Sequence, residues 1–349
     1  MNVIVLGAGA IGCWVGANVL RAGGEVTFIG RERFVAEANQ HGLSVQPPDG
    51  DLWHYKPISA ATQIEPEAAA QIEAVLLCTK AYAIPDAIRQ LPAALSPSAW
   101  LVCLQNGVGT EATVAQTFGA ARVIAATTTT PVSMLSPATI RVESLRGGIG
   151  LAPLDCADWD AARAQAFDTL SHVLAAKIYD SAASLKWSKL LLNLIGNATS
   201  AILDMPLDVM YRDVRLLDLE FAMLREALAV MRSVGARPMD LPGASAGKLA
   251  AGLRLPNMLL QPLLRGRFIK GRGDKKPSFY ADVAQPSGQS EVVYLNGAVV
   301  EEGRRNGIAT PVNATLTAVM LDLVTGRARA EDWRGQVDKL LAACGLGTP

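Results

Sequence analysis

The chain has little of what would assign it to several large protein classes. Among its 349 residues are only three histidines, His41, His54 and His172, and they lack the spacing of metal ligands, so no metal is expected. No run approaches the roughly 20 apolar residues of a membrane span. Nothing at its start resembles a signal peptide, so a cytoplasmic protein without a membrane partner is expected. Neither charge sign is in excess, with 32 Lys+Arg against 32 Asp+Glu, and no basic-aromatic cluster suggests nucleic acid. The five cysteines (Cys13, Cys78, Cys103, Cys156, Cys344) are scattered and read as small hydrophobes rather than disulfide partners or ligands. Gly243-Ala-Ser245-Ala-Gly247 matches a serine-hydrolase pattern. It follows Pro238 and Pro242 instead of a strand, and no histidine lies downstream of His172 to complete a triad.

What is present is a long, half-hydrophobic chain, too long for one ordinary core, so two domains are expected. Asn2–Leu6 is a short β-branched apolar run of the kind that forms a strand buried on both faces. It runs into Gly7-Ala8-Gly9-Ala10-Ile11-Gly12, after which residues 10–22 read as a helix. G-x-G-x-x-G alone is a weak signal, but between a strand and a helix it is a dinucleotide-binding fingerprint. Gly7 allows the tight turn, Gly9 lets the backbone approach a pyrophosphate, and Gly12 lets helix and strand pack closely. The helix start, with unpaired N–H groups, then faces the anion.

Residues 25–29 read as a second strand ending at Gly30-Arg31-Glu32-Arg33. An acidic residue here reads the ribose hydroxyl of NAD, and arginine suits the 2′-phosphate of NADP. The basic pair favours NADP, although a solvated helix start carries the same residues. Residues 43–46 and 52–55 read as a hairpin around Pro47-Pro48-Asp49-Gly50. Two further buried strands, at 74–78 and 100–104, lead into Lys80 and into Gln105-Asn106-Gly107. Open α/β sheets bind ligands beyond their strand ends, which makes Lys80 and Asn106 candidate site residues. More strands are expected near 121–125, 127–130, 140–143 and 148–151, some antiparallel, then a helix over 159–174 and a last strand at 177–180.

Past residue 180 the pattern turns helical. In residues 187–198, Lys189, Asn193 and Asn197 recur at i, i+4, i+8, which puts them on one stripe of a single helix whose other faces are apolar. Buried polar groups in such a setting need protein, water or ligand partners; an exposed stripe needs none. Long helices are expected over 212–234, 291–305 and 311–326, and a basic, glycine-rich loop over 265–277.

Taken together, Gly7–Gly12, Lys80, Gln105-Asn106-Gly107, Lys189 with Asn193 and Asn197, Pro277-Ser278, Ser290-Glu291 and Leu295-Asn296-Gly297 resemble the ketopantoate reductase (2-dehydropantoate 2-reductase) family over nearly the whole chain. The resemblance implies an α/β protein with an N-terminal Rossmann-type NADP-binding domain (1–180) and a C-terminal helical substrate and catalytic domain (181–349). It also implies a cleft between the two and NADPH-dependent reduction of a 2-oxo acid. By the same resemblance Lys189 is the catalytic lysine and Glu291 the acid that works with it. Asn106, Asn193, Asn197 and Ser278 bind the substrate. Gly7, Ala8, Gly9, Ala10, Ile11, Gly12, Arg31, Lys80 and Asn106 hold the cofactor. Ala281 and Val293 stand where relatives often carry polar residues, which bears on the choice of 2-oxo acid. A small-molecule substrate is the expected partner and a homodimer is compatible with the family. The competing reading is an NADP-binding protein without catalysis, which would need neither Lys189 nor Glu291.

Overall fold

The computed structural model describes residues 1–93, 95–270 and 277–347. The chain divides into two compact units: Met1–Gln105 with Gly109–Lys186 and Asp240–Ala244, and Asn106–Val108 with Trp187–Met239 and the chain from Ser245 onward.

The first unit is built on an eight-stranded sheet. Its strands are β1 (Asn2–Leu6), β2 (Glu25–Ile29), β5 (Ser59–Ala61), β6 (Ala74–Leu77), β7 (Trp100–Cys103), β8 (Val123–Thr128), β11 (Ile149–Pro153) and β12 (Ala176–Ile178). Their order is β12-β11-β8-β7-β6-β1-β2-β5. Neighbours are parallel except that β11 runs antiparallel to β8, with Ile149 opposite Thr128. Val3 to Leu6, Val75 to Leu77 and Leu101 to Cys103 are all at most 3% exposed, as expected for strands covered on both faces. Fully burying one such Val or Leu side chain stabilises by roughly 1.5–3 kcal/mol relative to leaving it in water.

β1 lies between β2 on one side and β6 on the other, with Leu6 paired to both Ile29 and Leu77. The strand order therefore reverses at β1, and the crevice beyond its carboxyl end is where ligands of open α/β sheets bind. A second, four-stranded sheet has the order β4-β3-β10-β9, from β3 (Leu43–Gln46), β4 (Trp53–Tyr55), β9 (Val132–Ser136) and β10 (Thr139–Val142). The expected hairpin is its β3–β4 pair, with Leu43 opposite Tyr55.

The second unit is helical. Its Val214–Ser233 helix buries Leu216, Leu217, Phe221, Leu224, Leu228 and Met231 on one side, and it packs against the Asn296–Arg305 and Pro311–Val324 helices. The helix begins two residues later than the periodicity suggests, because Asp213 caps it by accepting the Arg215 N–H at 2.9 Å.

Three sequence expectations are corrected here. Residues 187–198 do not form one helix. The Ala182–Leu194 helix ends, Gly196 takes a left-handed conformation (φ +62°), and a separate Asn197–Leu203 helix follows. Residues 291–305 form a 3-10 turn, Glu291–Tyr294, and then the Asn296–Arg305 helix, because Leu295 departs from helical dihedrals. Of the basic loop expected over 265–277, residues 265–270 close the Asn257–Lys270 helix, and 271–276 lie outside the described residues.

Candidate active-site residues

In the first unit the Gly7–Gly12 turn leaves β1 at the switch point of the sheet. Gly7 (φ +107°) and Ala8 both donate to Ile29 O, at 3.0 and 3.1 Å, which ties the loop to the end of β2. A Cβ on Gly7 would lie 2.7 Å from Thr79 N, and one on Gly12 would collide with Gly7 O. A Cβ on Gly9 would meet nothing within 4 Å, and Gly9 is exposed. The turn is thus packed tightly on its protein side and open on the other. Gly9 is the N-cap of the Ala10–Arg21 helix and has no side chain to cap it. The first-turn N–H groups of Ala10, Ile11 and Gly12 have no intrahelical acceptor, so they form a donor set suited to an anion. These features fit a dinucleotide pyrophosphate.

Arg31 follows this loop as the exposed N-cap of the Glu32–His41 helix, beside Gly30, whose own Cβ would sit 3.0 Å from Ala8 Cβ. Lys80 is exposed at the start of the Ala81–Ala83 turn, one residue after Thr79, whose backbone touches Gly7. The glycine loop, Arg31 and Lys80 therefore lie together at the carboxyl end of the sheet's strands. At the same end Gln105 donates from Nε2 to Leu77 O (2.6 Å) and Thr79 O (3.2 Å), while its Oε1 and the hydroxyls of Thr79 and Thr110 are buried without a partner among the described residues.

Sequence reasoning missed the charge near this end of the sheet. Lys186, 3% exposed, places Nζ 2.8 Å from Glu111 Oε1 and donates to Gln105 O (2.5 Å), just past the end of β7, and to Ala126 O (3.3 Å), within β8. Removing either partner would leave the other charge buried alone, typically costing 3–5 kcal/mol. Burial, and next the Glu111 charge, push the nearby Cys103 thiol well above its ordinary pKa. The visible signal for Lys186 was a lysine inside the apolar run Leu185-Lys186-Trp187.

In the second unit Lys189 is half-buried on the Ala182–Leu194 helix. One turn further along, Asn193 donates from Nδ2 to Asn106 Oδ1 at 3.0 Å, which joins two of the expected substrate residues. Asn197, on the next helix, is 2% exposed. It donates to Ser278 Oγ (3.2 Å) and accepts from Ser278 Oγ (3.3 Å) and from the Phe279 N–H (3.2 Å). Its amide therefore anchors the start of the Phe279–Ala284 helix, and Ser278 is the exposed member of the pair. Glu291 is 4% exposed and opens the Glu291–Tyr294 turn. That turn is capped by Ser290, which accepts the Val292 N–H at 3.2 Å and donates to Asp282 Oδ2 at 2.6 Å.

Two further carboxylates of the Val214–Ser233 helix escaped the sequence reading. Glu226 caps the Pro311–Val324 helix, accepting the N–H groups of Val312 (2.9 Å) and Asn313 (3.0 Å) and the Asn313 amide (2.7 Å). Glu220, fully buried, accepts the Gly196 N–H at 2.8 Å and the Thr199 hydroxyl at 2.6 Å. With Leu216 at i−4 and Leu224 at i+4 on the buried stripe, it was legible as an acid in an apolar position.

Comparison with known proteins sets this arrangement in context. The model of a family described as Ketopantoate reductase PanE/ApbA matches residues 3–155, and that of its C-terminal part matches residues 182–323. The chain is 25% identical over 326 residues to a 2-dehydropantoate 2-reductase of Pyrococcus horikoshii, covering 92% of this chain and 96% of that one. It is similar to the crystal structure of a PanE/ApbA family ketopantoate reductase from Ralstonia eutropha JMP134, with TM-score 0.75, 27% identity, and coverage of 94% and 99% of the two chains. A D-mandelate dehydrogenase solved with NADH and anilino(oxo)acetate shares the fold, with TM-score 0.75 at 21% identity over 93% of this chain and 99% of that one.

Proposed function

Because this chain belongs to the ketopantoate reductase family, and so to the oxidoreductases of that type, we propose that it reduces a 2-oxo acid to the 2-hydroxy acid with NADPH, and that ketopantoate is its substrate. The observation that most supports a bound dinucleotide is the glycine turn at the switch point of β1, open at Gly9 and closed at Gly7 and Gly12. The backbone of Gly7, Ala8, Gly9, Ala10, Ile11 and Gly12 would hold the pyrophosphate, and Arg31 would pair with the 2′-phosphate. Lys80 and Asn106 complete the cofactor set in this reading. The bound nicotinamide supplies a hydride.

The rest of the chemistry belongs to side chains. A ketone carbon that receives hydride leaves negative charge on its oxygen, and the Lys189 ammonium stabilises that charge and donates the proton. Glu291 orients Lys189 and keeps it charged in a partly dry setting. The substrate carboxylate takes amide and hydroxyl donors from Asn106, Asn193, Asn197 and Ser278.

The test is loss of NADPH absorbance with ketopantoate and with its analogue lacking the hydroxyl, repeated with NADH and with Arg31→Ala. We expect ketopantoate to have the higher kcat/KM, since a site built to bond a hydroxyl rejects the analogue without it by several orders of magnitude. We expect Arg31→Ala to weaken NADPH binding about ten- to a hundredfold and leave NADH nearly unmoved. A preference for the hydroxyl-free acid would overturn ketopantoate as substrate and leave the reductase reading standing. Equal weakening toward both cofactors would give Arg31 a loop-stabilising role instead.

A further inference from the structure

The break between the Ala182–Leu194 and Asn197–Leu203 helices has a cause within the second unit. In a continuous helix the Gly196 N–H would bond the carbonyl four residues back. Here it donates to Glu220 Oε2 at 2.8 Å, and the Thr199 hydroxyl donates to Oε1 at 2.6 Å. The Tyr211 hydroxyl lies 3.5 Å from Oε2. Glycine suits the break on two counts. Its φ is +62°, and a Cβ there would collide with Leu207 and stand 2.8 Å from Tyr211 Oη. A carboxylate that is fully buried has no water to fall back on, so these donors and the left-handed turn depend on one another.

The break decides where two asparagines go. Asn193 sits in the last turn of one helix and bonds Asn106, while Asn197 opens the next helix and bonds Ser278 and the Phe279 N–H. On an unbroken helix they would share one stripe one turn apart. We infer that Glu220 is a positioning residue for substrate recognition: its buried carboxylate holds the turn at Gly196 and thereby fixes how Asn193 and Asn197 are presented. The inference rests on the substrate-binding role given to these asparagines above. Glu220 itself touches no substrate.

The experiment compares Glu220→Gln, Thr199→Val and Thr199→Ser with the unaltered chain. Glutamine replaces one acceptor oxygen by an NH2 that cannot accept the Gly196 N–H or the Thr199 hydroxyl. Glu220→Gln should raise KM for the 2-oxo acid about tenfold or more, the scale of a lost hydrogen bond to a charged group, with kcat changed far less. NADPH affinity should stay put, and the Gly196 amide should exchange its hydrogen faster in deuterated water. Thr199→Val should move KM in the same direction, and Thr199→Ser, which keeps the hydroxyl, should return it. Unchanged KM and Gly196 exchange in folded Glu220→Gln would overturn the inference. So would a parallel worsening of kcat, KM, NADPH affinity and thermal stability in Glu220→Gln with Thr199→Ser behaving like Thr199→Val, since that is the signature of core packing alone. Failure of the functional reading shows up separately, as an unaltered chain that reduces no 2-oxo acid.

Discussion

Lys189 is the residue on which the proposed chemistry turns. A positioned general acid contributes typically 10²–10⁴-fold, so Lys189→Ala should lower kcat by about that factor with NADPH affinity nearly intact. A variant with most of its kcat would remove the lysine from the mechanism. At this scale the sequence was informative where a polar residue interrupts an apolar pattern. Lys189, Asn193 and Asn197 stood out for that reason, and Lys186 and Glu220 could have been found in the same way. What could not be read was the partner. Glu111 lies 75 positions before Lys186, and Gly196 lies 24 before Glu220, distances over which one sequence carries no contact information.

Elements were legible to the extent that local signals set them. The buried strands β1, β2, β6 and β7 fell where short apolar runs end in glycine or polar residues. The helix over 187–198 was misjudged because a single glycine is tolerated in a helix, and the break there is imposed by a distant carboxylate. The start of the Val214–Ser233 helix offers a measurable counterpart. Side-chain bonds from Arg215 come first in lowering the Asp213 pKa below its ordinary value. A group whose folded pKa is depressed stabilises above its unfolded pKa and loses that contribution as pH falls through the folded one. Asp213→Ala should therefore cost roughly 0.5–2 kcal/mol near pH 7, the usual worth of an N-cap. The penalty should shrink below about pH 4, where aspartate protonates. Urea denaturation of both chains at pH 7 and pH 3 checks this. An equal penalty at both would assign the effect to packing.

For the whole molecule, composition and pattern gave the α/β-then-helical architecture. They did not give strand adjacency: the parallel pairing of β3 with β10 joins segments almost a hundred residues apart. Cysteine chemistry tests the burial of both units at once. Burial pushes the Cys13 thiol up to about 12. Burial, and next the Glu226 charge, does the same for Cys344. Desolvation also raises Cys78 and Cys103 strongly, whereas Cys156 is exposed. Since the thiolate is the reactive form, iodoacetamide at pH 8 should modify Cys156 alone in the folded chain and all five cysteines in denaturant, as counted by mass spectrometry. Fast modification of Cys13 or Cys103 would contradict the packing around β1 and β7. The eight-stranded sheet has one more consequence. Its two borders are three-residue strands, β5 (Ser59–Ala61) and β12 (Ala176–Ile178), the latter bearing Lys177. Borders this short offer little template for an incoming strand. Behind them lie the five-residue strands β2 and β11, so any fraying that releases β5 or β12 exposes a longer, more apolar ladder. Aggregation of this chain on mild heating should therefore follow local opening at these borders before the global melt.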